Sequence, residues 1–141
     1  MIWHQKEISL NPKSRGFHLI TDEILKQISE IKKIKIGTVH IFIKHTSASL
    51  TINENADPTV RLDIESQFNI LVPENQTYYK HNTEGPDDIP SHIKSVMIGN
   101  SLLIPITNGR LNLGTWQGIY LCEHRNFATT RKIVITIMGE E

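Results

Sequence analysis

Asn108-Gly109 lies between two short strand-like runs, Ser101 to Thr107 and Arg110 to Leu113. An Asn-Gly pair suits a two-residue turn whose central residues both need positive φ, and such a turn joins adjacent antiparallel strands. The pair is therefore the strongest short hairpin signal in the chain, and runs of strands joined by hairpins favour a mostly antiparallel sheet. Further strands read from Ile2 to Leu10, Thr38 to Lys44, Ile119 to Glu123 and Ile133 to Met138, with Gly114 breaking or bulging the line. Lys13 to Phe17 reads as a turn, and residues 74 to 88 as irregular.

Three helices fit between the strands. Thr21 can cap the first, with Asp22 and Glu23 in its opening turn and Ile24, Leu25, Ile28 and Ile31 as its apolar stripe. Asp57-Pro58 starts the second with an aspartate cap and a proline at the first helical position. Val60, Ile64 and Phe68 then line one face. Pro90 can open a third helix, with Ile93, Val96 and Met97 facing inward and Gly99 as terminator. The expected class is α+β: a mostly antiparallel, β-sandwich-like sheet with about three helices in one domain spanning residues 1–141.

Lys plus Arg and Asp plus Glu number 15 each, which gives no electrostatic case for nucleic acid or a membrane surface as partner. No apolar run approaches the ~18 residues a membrane span needs, and Met1 to Glu7 lacks the basic-then-apolar order of a signal peptide. The single cysteine, Cys122, excludes an internal disulfide, so the cytoplasm is the expected compartment. With seven histidines and one cysteine, a metal site here would use imidazole and carboxylate ligands.

Four polar clusters carry the candidate chemistry. The first, His45 to Asp57, follows directly on a strand and surrounds Leu50 and Ile52 with hydroxyls, carboxamides and carboxylates. Polar groups at the end of a buried strand need partners or a ligand. The second is His81 to Asp88, followed by His92. A loop folding back on a helix start brings His81 and His92 together, and His45 would complete a three-histidine site with an open position. Asp87 and Asp88 would then sit behind the rings and fix their tautomers. The competing view is that each histidine is an ordinary hydrogen-bonded residue, as expected for His4, His18 and His40. The third cluster, Gly114 to Gln117, either presents backbone amides to an anion or simply packs Trp116 in a core or interface. In the fourth, Glu123 is a raised-pKa base, a metal ligand or the ion-pair partner of Arg131, whose fork suits phosphate. Asp57 reads as a cap rather than a catalyst, and Cys122 as a small buried hydrophobe.

Taken together, HTSASLTINENADPTV, HNTEGPDDIPSHIKS, LNLGTWQGIYLCEH and the closing RKIV resemble the YjbQ family from Trp3 to Glu140. The resemblance implies a β-sandwich-like α+β fold, a homotrimer, and a polar pocket near the subunit interface for a metal or an anion. It carries over to His45, Thr46, Asn53, Glu54, Asp57, His81, Asp87, Asp88, His92, Ser101, Trp116, Gln117, Glu123 and Arg131. Family members commonly have a glutamate, one variable residue, an aspartate and then a Gly-Pro-Arg turn. This chain has Glu123-His124-Arg125-Asn126-Phe127 instead, so the resemblance assigns nothing to His124 or Arg125. The family label, secondary thiamine-phosphate synthase, implies joining a pyrimidine diphosphate to a thiazole phosphate with release of pyrophosphate.

The expectation is a small metal-dependent enzyme. His45, His81 and His92 hold a divalent metal, zinc ahead of magnesium given imidazole ligands. Glu123 or Glu54 serves as base or additional ligand. Thr46, Asn53, Trp116, Gln117 and Arg131 hold a phosphorylated small molecule. The reaction is thiamine-phosphate synthesis, a transferase activity; a metal-dependent hydrolase and a non-catalytic trimer binding a phosphorylated metabolite are the alternatives.

Overall fold

The computed structural model describes residues 1–127 and 129–141. Among the described residues eight strands form two sheets, and every strand pair is antiparallel. The larger sheet has the order β1-β8-β3-β5-β6: β1 Ile2–Leu10, β8 Arg131–Glu140, β3 Ile36–Ile43, β5 Ser101–Thr107 and β6 Arg110–Leu111. The smaller has the order β2-β7-β4: β2 Gly16–Leu19, β7 Gln117–Glu123 and β4 Ala48–Glu54. One core joins their facing sides. Ile8, Leu10, Val39, Ile41, Ile104, Ile133 and Ile135 come from the larger sheet, and Ala48, Leu50, Ile119 and Leu121 from the smaller. Each large side chain of this kind contributes about 1.5–3 kcal/mol by leaving water. The expected α+β class with mostly antiparallel strands is what the chain adopts.

The hairpin at Asn108-Gly109 forms, with φ of 49° and 76° at the two turn residues. α1 (Thr21–Leu25) is shorter than the periodicity predicts and passes through a 3-10 helix, Ser29–Lys33. Thr21 does not cap it; its hydroxyl accepts the Ile119 N–H at 2.9 Å and ties the segment to β7. α2 (Pro58–Leu71) starts as expected, with the Asp57 carboxylate accepting from Thr59 N–H at 2.9 Å. α3 (Asp88–Ile98) ends at Gly99, φ 111°.

The face that α3 turns inward corrects the expectation. Val96 is 85% exposed and Met97 53%, while Asp88, Ser91 and Lys94 are buried. Polar residues win this face because each finds a partner there: Asp88 pairs with Arg125, Ser91 Oγ donates to the Asp88 carbonyl at 2.5 Å, and Lys94 Nζ donates to Asn69 Oδ1 at 2.7 Å. The rotation of α3 decides which of its side chains reach the candidate site. Among the described residues no helix is long and apolar enough to cross a membrane.

Candidate metal centre

Three donors meet where the 81–87 loop enters α3. His81 comes from the loop, Asp88 from the first residue of the helix and His92 from one turn further along the same face. Their ligand atoms lie within 4.8 Å of one another, and they are the group among the described residues that could hold a metal ion. His81 Nε2 is 2.8 Å from Asp88 Oδ2, His92 Nε2 is 3.2 Å from the same oxygen, and the ring centroids are 5.7 Å apart. Asp88 is buried, His92 is half-buried, and His81 opens to solvent.

The tautomer at His92 carries a physical consequence. Its Nδ1 lies 2.9 Å from the Thr46 carbonyl, which only accepts, so Nδ1 bears the hydrogen. In the neutral ring Nε2 then carries a bare lone pair 3.2 Å from a carboxylate oxygen. A cation between the two atoms would turn that contact from repulsive to attractive. Two imidazole nitrogens and one carboxylate oxygen suit zinc, and the solvent-open side beside His81 leaves room for further ligands. The backbone carbonyl on His92 Nδ1 is the kind of outer partner that orients metal-bound imidazoles.

Behind the donors stands Arg125. It pairs with Asp88 Oδ1, donates from Nε to Asp87 Oδ2 at 2.9 Å and from Nη2 to the Glu84 carbonyl at 2.9 Å. Asp87 also accepts the Asn126 N–H at 2.9 Å. Burial works against charge on Asp87, yet the Asn126 and Arg125 hydrogen bonds hold its carboxyl below the usual range. Asp87 was expected behind the rings but bonds to Arg125 and Asn126 instead, and Asp88 is itself a donor of the cluster. From the sequence Arg125 reads as a solvated surface arginine; the adjacent acids at 87 and 88, which call for a cation, are the signal for its actual place.

The remaining expected residues divide between two places. His45 Nε2 accepts the Lys132 backbone N–H at 2.8 Å, and burial, with Arg131 nearby, pushes its pKa down. With that nitrogen engaged, His45 stands outside the three-donor group. It lines a depression of about 440 Å³ beside the cluster, together with Thr46, His92 and Ser95. Asp88 thus takes the third place in the group, where His45 was expected. Glu123 is fully buried and closed by Arg131, Nε–Oε1 2.8 Å and Nη2–Oε2 2.5 Å, and it also accepts the Arg125 N–H at 3.2 Å. Of the three roles weighed for Glu123, the structure displays the ion pair. Arg131, 4% exposed, spends its fork on that carboxylate and on the Ser47 carbonyl.

Asn53, Glu54, Trp116 and Gln117 gather elsewhere. β4 pairs with β7 from Ala48↔Glu123 to Glu54↔Gln117, so these residues lie at the far end of the ribbon, roughly 20 Å along the strand from Ala48. Asn53 Oδ1 accepts from Glu54 N–H at 2.7 Å, and the Glu54 carboxylate accepts from Asp57 N–H at 3.1 Å. Gln117 Oε1 accepts from Gly114 N–H at 2.8 Å, and Trp116 is 65% exposed. The chain therefore brings Thr46 to the metal-capable cluster and leaves these four apart from it.

A second buried polar group was not expected. His124 is 1% exposed; its Nε2 lies 2.7 Å from Ser49 Oγ, and its Nδ1 has no partner among the described residues. Desolvation, helped by Lys94 and Arg15, pushes its pKa down to about 3. Cys122 is buried as expected, and its thiol is pushed up to about 12, by burial above all.

Comparison with known proteins yields a consistent set. The family model described as UPF0047 protein YjbQ-like matches residues 6–140. The UPF0047 protein YjbQ of Escherichia coli O157:H7 is 54% identical over 139 residues, covering 99% of this chain and 100% of its own. The UPF0047 protein YugU of Bacillus subtilis (strain 168) is 42% identical over 106 residues, 75% of this chain and 77% of its own. Among solved structures, a YbjQ-like protein of unknown function from Sulfolobus solfataricus P2 superposes with a TM-score of 0.84 at 26% identity, covering 99% of both chains. An uncharacterised yjbq/upf0047-family protein from Clostridium acetobutylicum gives 0.77 at 37% identity, covering 98% of this chain and 100% of its own.

Proposed function

The chain belongs to the YjbQ/UPF0047 family, and from that premise we propose that it is a metal-dependent protein acting on a phosphorylated small molecule. The ligands are His81, Asp88 and His92, with zinc as the metal. The observation that carries this reading is the convergence of those three donors within 4.8 Å, with His92 Nε2 3.2 Å from an Asp88 carboxylate oxygen. A bound divalent ion supplies a positive charge on which phosphate oxygens can settle. Arg125 holds Asp88 in place through its other oxygen, and Thr46 fixes the His92 ring. The depression lined by His45, Thr46 and Ser95 receives the rest of the substrate.

The reaction to assay first is the one the family label implies. The thiazole nitrogen bonds to the pyrimidine methylene carbon, and the carbon–oxygen bond to diphosphate breaks to release pyrophosphate. Homotrimer formation is part of the proposal. It would let a neighbouring copy bring its Asn53, Glu54, Trp116 and Gln117 toward this cluster, which one protomer keeps apart. Metal analysis of the wild type and of His81→Ala and Asp88→Ala tests the ligand set. The wild type is expected to bind zinc stoichiometrically and both variants to lose it; equal metal content in all three overturns the assignment.

A second reading has its own support. The two carboxylates proposed as bases are both engaged, Glu123 by Arg131 and Glu54 by the Asp57 N–H. That favours a protein that binds a phosphorylated metabolite without turning it over. Pyrophosphate binding that depends on zinc, with no product formed from the two phosphorylated substrates, would select this alternative.

A further inference from the structure

At the other end of β3 from the metal-capable cluster lies an unassigned cavity of about 370 Å³, a size usual for small-molecule sites. β3 runs from Ile36, paired with Thr107 beside this cavity, to Ile43, two residues before His45. Its floor is apolar: Ile28 and Ile31 are buried, and Leu25, Leu111 and Leu113 line its sides. Lys32 and Arg110 are the charged lining residues, and both are exposed.

The walls are fixed. The hairpin turn is bonded to the chain leaving the 3-10 helix, through Gly109 N–H to the Ile34 carbonyl and Asn108 N–H to the Lys35 carbonyl, both 2.8 Å. Among the described residues, those lining the cavity include no acid. The nearby glutamates are already taken, Glu30 by Lys6 at 2.7 Å and Glu23 by Lys13 at 2.8 Å. Lys26, Lys33 and Lys35 add positive charge on the same stretch of chain.

We propose that this cavity binds a small amphipathic carboxylate, its alkyl tail on Ile28, Ile31 and Leu111 and its anionic head between Lys32 and Arg110. Apolar lining alone accepts many tails; the two cations without a protein acid beside them select the charge of the head. The proposal does not depend on the metal site.

The test titrates octanoate, octanol and octylammonium into the labelled full-length protein and follows backbone amide shifts. Octanoate is expected to perturb residues 21–33 and 109–113 and to bind several-fold more tightly than octanol, with octylammonium weakest. Lys32→Glu with Arg110→Glu is expected to weaken octanoate roughly two- to thirtyfold while leaving octanol unchanged, as for two exposed charge pairs. Both side chains are exposed, and the probe comparison in the wild type stands even if the variant folds poorly. Equal affinity for octanoate and octanol, shifts centred on residues 81–92, or no shift at the solubility limit would each overturn the proposal.

Discussion

At the scale of single residues, burial without a full set of partners is what distinguishes this chain. His124 sits in the core with one nitrogen beside Ser49 and the other unpartnered among the described residues, and its pKa is pushed down to about 3 by desolvation first and by Lys94 and Arg15 next. The unfolded chain takes up a proton near the ordinary histidine value of ~6.5, whereas the folded state does so only near 3. Between those values the unfolded state binds more protons, so acid favours unfolding. This contribution to stability is complete above about pH 6.5 and is lost as pH falls toward 3. Chemical denaturation between pH 7 and pH 4 is expected to show a slope that approaches 1.4 kcal/mol per pH unit from this one group, at about one proton exchanged. His124→Gln keeps a hydrogen-bonding side chain and removes the titration, so its slope should be visibly smaller. An unchanged slope would mean that His124 does not stay neutral in the fold.

At the scale of elements, the parts set by local chemistry were readable in advance and the parts set by packing were not. Asn108-Gly109, Asp57-Pro58 and Gly99 each act through their own backbone preferences, and all three stand where the sequence puts them. β4 escaped notice because Ser49 and Thr51 look like loop residues; they sit in a strand because β7 supplies the ladder and His124 meets the Ser49 hydroxyl. The inward face of α3 was misread because amphipathicity presumes an apolar neighbour, and its actual neighbours are Arg125 and Asn69. The hairpin gives a direct test. Gly109 has φ 76°, and a Cβ there would lie 2.8 Å from the Lys32 carbonyl oxygen. Gly109→Ala should therefore cost about 1–3 kcal/mol in thermal or denaturant unfolding. Gly114→Ala, where the nearest atom is the Gln117 side-chain oxygen at 3.3 Å, should cost less. Equal costs would show that the turn conformation is not what constrains the hairpin.

At the scale of the whole molecule, the candidate site is half legible. His81 and His92 could be picked out by residue type, and they do come together. Asp88 in place of His45 could not, because that choice depends on how α3 rotates and on the Lys132 N–H that engages His45. Nor does spacing reveal that Asn53, Glu54, Trp116 and Gln117 belong to the opposite end of the β4–β7 ribbon. The proposed trimer would reunite them with the cluster, and native mass spectrometry checks it: three times the chain mass of 16.1 kDa is expected, and a monomer at micromolar concentration would leave those four residues without a role at the metal. The central claim meets its most direct test in anomalous diffraction at the zinc edge from zinc-loaded crystals. A single peak about 2.0–2.2 Å from His81 Nε2, His92 Nε2 and an Asp88 carboxylate oxygen is predicted; a peak on other residues, or none with zinc in excess, contradicts the account.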